Sequence, residues 1–438
     1  MFRYSLARRF GLGAQNKLVI IGGGAGGITM AGRLIRRGVV SPGQITIVDG
    51  SPVHHYKPGW TLYGAEQLDR SYVEMPMRKQ IPSGVHYIDH YVKEVKPDEN
   101  TVVLADGSKI SYEQLIISSG IKFNFDKIKG FHEALLDPTR EVSSVYHFKT
   151  IQKLRDARHK KFEQAIFTQP RDPITCPGAP QKIVYLTTEA WKKKGFKTNS
   201  KFFQGNPFLF AVPFYSQALK RILDGKGVEH YLKHQLVEIK ENNVAVFEKT
   251  GEDGKVSIVE YPFDFLHAVP LMTGHDYLKS SGLADANNFV KVDKATLRSE
   301  SHKNVWCTGD GSNLPTARTM AAVIDQSIIL TNQLENVLKG TKHTRAYDGY
   351  TCCPLLVGNK KVMMAEFKYG LKIAPSFHPD QRKPTRYFYW MKQKLFPFAN
   401  KYLIKHGLWN GRKTLWDASA LDYSAFQAQE EFAANKAP

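Results

Sequence analysis

The sequence predicts an α/β protein built from two tandem Rossmann-like domains of the dinucleotide-binding type, followed by a C-terminal amphipathic tail that associates with a membrane. Three observations predict it. Lys17 to Gly27 (KLVIIGGGAGG) joins an apolar strand to a helix through a glycine-rich turn. Residues 151–289 repeat the alternation of apolar strands with helical pieces. From Pro375 onward aromatic and basic residues mix, with no acid between Asp380 and Asp417.

Taken in order, the chain opens with MFRYSLARRFGLG, which sets Arg3, Arg8 and Arg9 among apolar residues, and no acid precedes Asp49. Wound as a helix this segment is basic and amphipathic, the pattern of a mitochondrial presequence; a frayed basic arm is the plainer reading. Leu18 to Gly22 then read as a short buried strand. Gly22, Gly24 and Gly27 fall on G-x-G-x-x-G: the first allows the tight turn, the second lets backbone approach a pyrophosphate, and the third lets the next helix pack close. That helix carries Met30, Ala31, Leu34 and Ile35 on one face and Arg33, Arg36 and Arg37 on the other, with Gly38 as its C-cap. A second strand, Ile45 to Val48, ends in Asp49, 22 residues past Gly27, where a carboxylate accepts ribose hydroxyls. Strand, glycines, helix, strand and acid in that order mark FAD/NAD(P)-binding-type domains rather than a chance glycine turn.

Ser51 to Gly64 reads as a loop bringing His54, His55, Tyr56, Lys57 and Trp60 near the dinucleotide. Val85 to Val95 and Thr101 to Leu104 read as strands, with Val92 on the adenine side. Tyr112 to Gly120 is another apolar strand, and Gly120 lets backbone pass close to the cofactor. Flavoprotein disulfide reductases close the first half of their FAD domain with such a strand.

The middle of the chain differs from a second nucleotide cradle. After the strand Gln164 to Thr168 comes QPRDPITCPGAPQKIVYL, whose prolines cannot form a glycine cradle, so nicotinamide binding is not expected here. The loop instead presents Cys176 just before a helix opening near Ala179, where the positive end of the helix dipole favours thiolate; a buried, inert cysteine is the alternative. Lys182 to Leu186, Pro207 to Val212, Val228 to Glu238 and Phe265 to Pro270 read as strands, Ser216 to Leu223 as a helix, and Val244 to Phe247 with Ser257 to Tyr261 as a hairpin.

Asn304 to Arg318 (NVWCTGDGSNLPTAR) returns to the cofactor: a strand ends in Gly309-Asp310, and a long helix, Thr319 to Leu338, follows. In FAD proteins of the disulfide-reductase type a Gly-Asp pair at such a place meets the ribityl chain; the plainer reading is that Asp310 caps the helix, and Cys307 packs inside the strand. Tyr347 to Leu355 (YDGYTCCPL) offers Cys353 before a proline, as Cys176 is. Two separated Cys-Pro loops suggest a redox pair, and bridging requires Cα atoms within about 7 Å. In the tail, Tyr387, Trp390, Met391, Leu395 and Phe398 recur at helical steps, and Pro397 and Gly407 are expected to break it into short helices lying on anionic lipid; docking on the protein's own core is the alternative.

Composition bounds the rest. At 438 residues the chain can bury two or three domain cores, and 42% hydrophobic content makes it globular. A formal charge of +20 calls for an anionic partner, and no nucleic-acid motif is present, which favours a membrane surface. Four cysteines are too few for a disulfide scaffold and show no zinc pattern, so no metal is expected. The expected division is a basic arm at 1–14, an FAD-binding domain at 15–150 and 290–345, a second Rossmann-like domain carrying Cys176 at 151–289, and a C-terminal redox-cysteine and membrane-associating region at 346–438.

Over nearly its whole length the chain resembles the eukaryotic, mitochondrial sulfide:quinone oxidoreductases, two-dinucleotide-binding-domain flavoproteins of the disulfide-reductase type. The motifs that carry the resemblance are VIIGGGAGGITMA, AIFTQPRDPITCPGAPQKIVYL, NVWCTGDGSNLPTARTMAAV and YDGYTCCPLL. It implies FAD held by Ala25, Gly26, Asp49, Lys57, Val92, Asp310 and Arg318, beside the glycines 22, 24, 27 and 120 read above. It implies a catalytic pair made by Cys176 and Cys353, and ubiquinone reached from the membrane through the C-terminal helices. In the implied reaction hydrosulfide attacks the Cys176–Cys353 disulfide, or a form carrying an extra sulfur, and leaves a persulfide on Cys353. The Cys176 thiolate delivers two electrons to FAD, ubiquinone receives them, and glutathione or sulfite takes the sulfane sulfur. The implied location is the matrix face of the mitochondrial inner membrane, held peripherally.

The chain departs from that pattern at Cys352, where a small residue is usual, and at Cys307, where glycine is preferred. Rival readings are a type II NADH:quinone dehydrogenase, which needs a second glycine cradle; a non-catalytic FAD-bearing membrane scaffold, which needs no paired cysteines; and a flavocytochrome-type sulfide dehydrogenase, which needs no amphipathic tail.

Overall fold

The computed structural model describes residues 16–377 and 380–415, so the basic arm read at 1–14 lies outside the described residues. The first sheet runs Val85–Ile88, Ile45–Val48, Asn16–Ile21, Lys109–Ile117, Thr101–Leu104, Val92–Lys96, with Val305–Cys307 added parallel to Lys109–Ile117. Its central strands pair in parallel, Leu18 opposite Ile45 on one side and Gln114 on the other. They are covered on both faces, and for that reason read as unbroken apolar runs: Leu18, Val19 and Ile20 are fully buried. The strand that returns from residue 305 delivers the chain to the long helix Met320–Lys339, where the Thr319 hydroxyl accepts from the Ala322 N–H as N-cap.

A second parallel sheet, ordered Val142–Ser143, Phe265–His267, Gln164–Gln169, Asn199–Gln204, Val228–Tyr231, holds the middle of the chain. The antiparallel strands His234–Ile239, Val244–Thr250 and Val256–Pro262 extend from it, and the predicted hairpin is the last two of these. A separate hairpin, Thr351–Gly358 with Lys361–Phe367, sets Cys353 opposite Ala365.

Several elements differ from their sequence reading. Lys182 to Leu186 is not a strand but the buried centre of the helix Ala179–Lys193. A short apolar run buried all round looks the same in either conformation, and the Gly178 to Pro180 opening decides for helix. The strand that pairs there is Asn199–Gln204, while 207–212 is irregular. Val85 to Val95 divides into Val85–Ile88 and Val92–Lys96, which pair with different neighbours. Val228 to Glu238 divides at Lys233, whose φ is +57°. Ser51 to Gly64 is structured, with a strand at Val53–His55 and a helical turn at Trp60–Gly64. Arg33, assigned to an outer face, is buried: its Nη1 donates to Asn410 Oδ1 (2.6 Å) and its Nη2 to the Trp409 carbonyl (2.9 Å).

The tail also differs. Arg386 to His406 forms one helical rod that passes through Pro397, with π-helical turns at Met391–Leu395 and Ala399–Leu403. A π-turn bonds i to i+5 and re-routes the ladder around the missing proline donor. Gly407, at φ +62°, ends the rod. Phe388, Met391, Ala399 and Ile404 dock on the body, while Tyr387, Trp390, Phe398 and Tyr402 stay 44–57% exposed. The rod thus docks one set of side chains on the body and leaves an aromatic set exposed. Among the described residues no helix is long and apolar enough to cross a membrane.

Candidate active site: a cysteine pair beside a dinucleotide cavity

A cavity of about 440 Å³ opens between the glycine turn, the Cys176 loop, the start of the long helix and the inner face of the rod. On the glycine wall, a Cβ on Gly27 would lie 1.9 Å from the Gly22 carbonyl oxygen, so helix and strand approach only because that position is bare. Gly22, Gly24, Ala25 and Gly26 line the cavity, and a Cβ on Gly24 would meet nothing within 4 Å. The helix N-terminus is thus open to an anionic group. Asp49 accepts from the Gly23 N–H (2.7 Å) and the Ser51 N–H (2.8 Å); burial pushes its carboxyl up, opposed by those two donors and Lys57. Lys57 reaches into the cavity 5.1 Å above the Phe123 ring, its pKa lowered by burial and supported by Asp310 and Asp49.

Gly120, Asp310 and Arg318 complete that wall. Asp310 Oδ2 accepts from the Thr175 hydroxyl at 2.6 Å. Arg318 donates to the Asp310 and Ser312 carbonyls (3.0 and 3.1 Å) and stacks on Phe289. These contacts tie the returning loop to the Cys176 loop. Val92 is not brought to the cavity: it sits half-buried on an outer strand opposite Leu104.

The wall fits FAD. His54, a residue of the cavity lining, donates through Nδ1 to the Gly23 carbonyl (3.1 Å), which leaves Nε2 as an acceptor; burial pushes this imidazole down to about 4 and keeps it neutral. His54 Nε2 and the Trp60 indole N–H are buried there with no partner among the described residues. Buried polar atoms of this kind call for a polar ligand, and the open helix N-terminus with Lys57 beside it suits a pyrophosphate.

Beside Asp310 and Arg318, Cys176 lines the same cavity. Cys176 holds the left-handed conformation at φ +51°, uncommon for a residue with a side chain. Its N–H donates to the Arg318 carbonyl (2.8 Å), its carbonyl accepts from Ala179 N–H (2.7 Å), and the Tyr146 hydroxyl donates to the Thr175 carbonyl (2.9 Å). Cys176 Sγ is 3.8 Å from Cys353 Sγ and 3.3 Å from Lys182 Nζ. Gly178 permits that approach, since a Cβ there would lie 2.6 Å from Cys353 Sγ. The Cys353 thiol donating to Cys176 holds the latter well below the ordinary thiol range, and the Lys182 and Lys392 ammoniums add to this against burial. Cys353, fully buried, is pushed well above it by Cys176 and by burial.

Cys353 and Pro354 lie on a strand rather than in the expected loop. The period of two turns Cys353 toward Cys176 and Cys352 to the other face of the strand, where it lines the cavity and burial raises its thiol. Cys307 is fully buried in its strand and its thiol is likewise raised by burial.

Sequence reasoning missed three groups. Burial opposes the Lys182 ammonium, yet Cys176 and Cys353 hold its pKa above the ordinary value. Its signal was its place six residues after Cys176 in GAPQKI, facing back across the helix start. Lys392, from the rod, donates to the Pro58 carbonyl (2.8 Å), and burial and Lys182 push it down to about 7. Nothing in sequence separates it from the other tail cations. Tyr146 gave no signal either.

The fold and this site define a flavin-type disulfide oxidoreductase whose second half carries a cysteine in place of a nucleotide cradle. The family of pyridine nucleotide-disulphide oxidoreductases matches over residues 16–164. The chain is 36% identical to the mitochondrial sulfide:quinone oxidoreductase of Schizosaccharomyces pombe over 94% of each chain, and 39% identical to that of Mus musculus over 90% of this chain and 87% of the mouse protein. The crystal structure of the sulfide:quinone oxidoreductase from Aquifex aeolicus superposes with a TM-score of 0.72 at 18% identity, over 90% of this chain and 92% of that one, a likeness of fold. The chain belongs to the sulfide:quinone oxidoreductase family.

Proposed function

We propose that this protein oxidises hydrogen sulfide through Cys176 and Cys353 and passes the electrons to ubiquinone. The observation that carries the proposal is the asymmetric pair at 3.8 Å with Lys182 at 3.3 Å from one member. FAD, when bound, supplies the two-electron link between this pair and the quinone. Gly22, Gly24, Ala25, Gly26, Asp49, Lys57, Gly120, Asp310 and Arg318 are the residues that would hold it; Gly27 packs behind them.

In the oxidised pair, hydrosulfide attacks the Cys353 sulfur, the S–S bond breaks, Cys353 keeps the incoming sulfur as a persulfide, and Cys176 departs as a thiolate. The direction follows from acidity: the more acidic thiol leaves faster, and Lys182 holds the charge that develops. Cys353 lies fully buried, which shields its persulfide from water until a small acceptor, glutathione or sulfite, attacks the outer sulfur and frees the Cys353 thiolate. Loss of two electrons from the pair, bound for ubiquinone, restores the disulfide. The exposed aromatics of the rod, with Arg386 and Lys394 among them, support a peripheral seat on anionic lipid. We assign the protein to mitochondria, on the matrix face of the inner membrane, with the four-part division of the chain given above.

The test is anaerobic flavin absorbance on adding sulfide. Bleaching or a long-wavelength charge-transfer band in the wild type, absent in Cys176→Ser and Cys353→Ser, with recovery on adding a ubiquinone analogue, supports the proposal. Bleaching by NADH without a response to sulfide overturns it in favour of a dehydrogenase, and a flavin silent to both favours the scaffold.

A further inference from the structure

A second cavity, of about 300 Å³, lies where three elements meet: segment 66–72, the helix Ile151–Ala157 and the flank of the rod. Two hydrogen bonds build the junction, the Gln67 carbonyl accepting from Gln393 Nε2 (3.1 Å) and Gln67 Oε1 from the Tyr389 hydroxyl (3.3 Å). Arg155 is fixed by donating through Nη1 to the Tyr63 carbonyl (2.6 Å) and by lying 4.5 Å over the Tyr63 ring. Its Nε is buried without a partner among the described residues, and such an orphan calls for a ligand. Leu68 is the single aliphatic residue of the lining, and charges of both signs stand around it: Glu66 and Asp69, Arg155 and Lys394. One Glu66 oxygen meets His159 Nε2 at 2.8 Å. The side chains of Asp69 and Lys394 have no partner among the described residues and do not pair with each other.

The place of the cavity selects its ligand. Lys394 stands four residues from both Trp390 and Phe398, which with Tyr402 form the outward aromatic stripe of the rod. Tyr72, also in the lining, carries Lys401 Nζ 4.6 Å over its ring, and the same ammonium lies 5.6 Å over Tyr402. A polar cavity beside such a stripe sits at headgroup depth once the stripe meets a bilayer. An anion alone would be repelled by Asp69, and a cation alone would leave Lys394 and the Arg155 Nε–H unmatched. A ligand with a phosphate and an ammonium a few bonds apart answers both. A primary ammonium offers three N–H donors to carboxylates, whereas a quaternary one offers none and needs aromatic faces, and the Tyr72 ring already holds Lys401. We propose that this cavity takes the phosphoethanolamine head of a phospholipid, with the phosphate on Lys394 and Arg155 and the ammonium on Asp69 and Glu66. The proposal rests on the peripheral membrane seat given above.

Co-sedimentation of the full-length, FAD-loaded protein tests it. Phosphatidylethanolamine replaces phosphatidylcholine in vesicles whose phosphatidylglycerol content, and so charge, is held constant. Wild type is expected to bind the ethanolamine vesicles about tenfold more tightly, the worth of one charge-assisted hydrogen bond. Asp69→Asn is expected to abolish that preference without weakening binding to the choline vesicles, with flavin reduction by sulfide unaltered. The sign discriminates: general attraction to anionic lipid would strengthen when an acid is removed. Equal binding of wild type to both vesicles overturns the proposal, and so does a preference that survives in Asp69→Asn, since lipid packing is then its source. If wild type binds no vesicle at all, the membrane seat itself fails, and calorimetry with soluble glycerophosphoethanolamine decides the site. Binding lost in Asp69→Asn then assigns it to the free head, and no binding overturns it.

Discussion

Cys176 and Cys353 are chemically the same residue, and the difference between them comes from placement. Cys176 faces two ammoniums at the cavity wall, while Cys353 is enclosed by apolar side chains, so the protein can keep a thiolate on one sulfur and a proton on the other. Replacing Lys182 by Met is expected to raise the pH at which Cys176 titrates, read from ultraviolet thiolate absorbance against pH; an unmoved titration would exclude Lys182 as a support of the thiolate. Lys392 gives a separate prediction with its own sign. Its pKa falls from 10.5 to about 7 on folding; between those values the unfolded chain holds a proton the native state lacks, so stability rises with pH across that window. Lys392→Met is expected to flatten the rise in a series of denaturant titrations from neutral to alkaline pH; an unchanged slope would exclude Lys392 as its source. Cys176 was legible as a site because a lone cysteine stood where a glycine cradle belongs. Arg33 was misread because helical periodicity assumes one solvent face, and residues 409–410, far along the chain, turn out to cover the other.

At the scale of elements, a single bare position lets the Cys176 helix and the Cys353 strand meet. Gly178 has φ −91°, open to any residue, so Gly178→Ala acts through steric contact with Cys353 and Leu355 and not through backbone strain. It is expected to hold the two sulfurs apart and abolish disulfide formation while FAD is retained, as a count of free thiols after mild oxidation would reveal; a normal disulfide would refute the steric account. The rod is the other element with a divided role. Exchanging Trp390 and Phe398 for Ser removes two exposed aromatics, and binding to vesicles is expected to weaken about tenfold or more with flavin reduction by sulfide intact. Co-sedimentation measures the first and anaerobic spectroscopy the second. Proline at 397 read as a break because the α-helical ladder needs its N–H; the π-turns that flank it are a tertiary accommodation with no sequence signature.

For the whole molecule, the charge of +20 is spread over a chain with 61 basic and 41 acidic residues. Long-range attraction of this kind is screened by salt, so association with anionic vesicles is expected to fall steeply as ionic strength rises. Neutral vesicles should retain only the weaker, salt-insensitive part due to the aromatic stripe. Equal binding to both would assign the contact to apolar insertion alone.

By itself the sequence determined the first Rossmann unit, the return of the chain through Asp310, the aromatic and basic character of the tail, and the two cysteines proposed to react. Each of these is written in local pattern: glycine spacing, strand and helix period, or a motif within a few residues. Tertiary structure alone decided that Cys176 and Cys353 meet, that Lys182 and Lys392 converge on them, and that Val92 stays off the cavity. Those facts depend on pairs separated by up to hundreds of residues, whose distances and burial are set by packing, and local pattern carries no record of them.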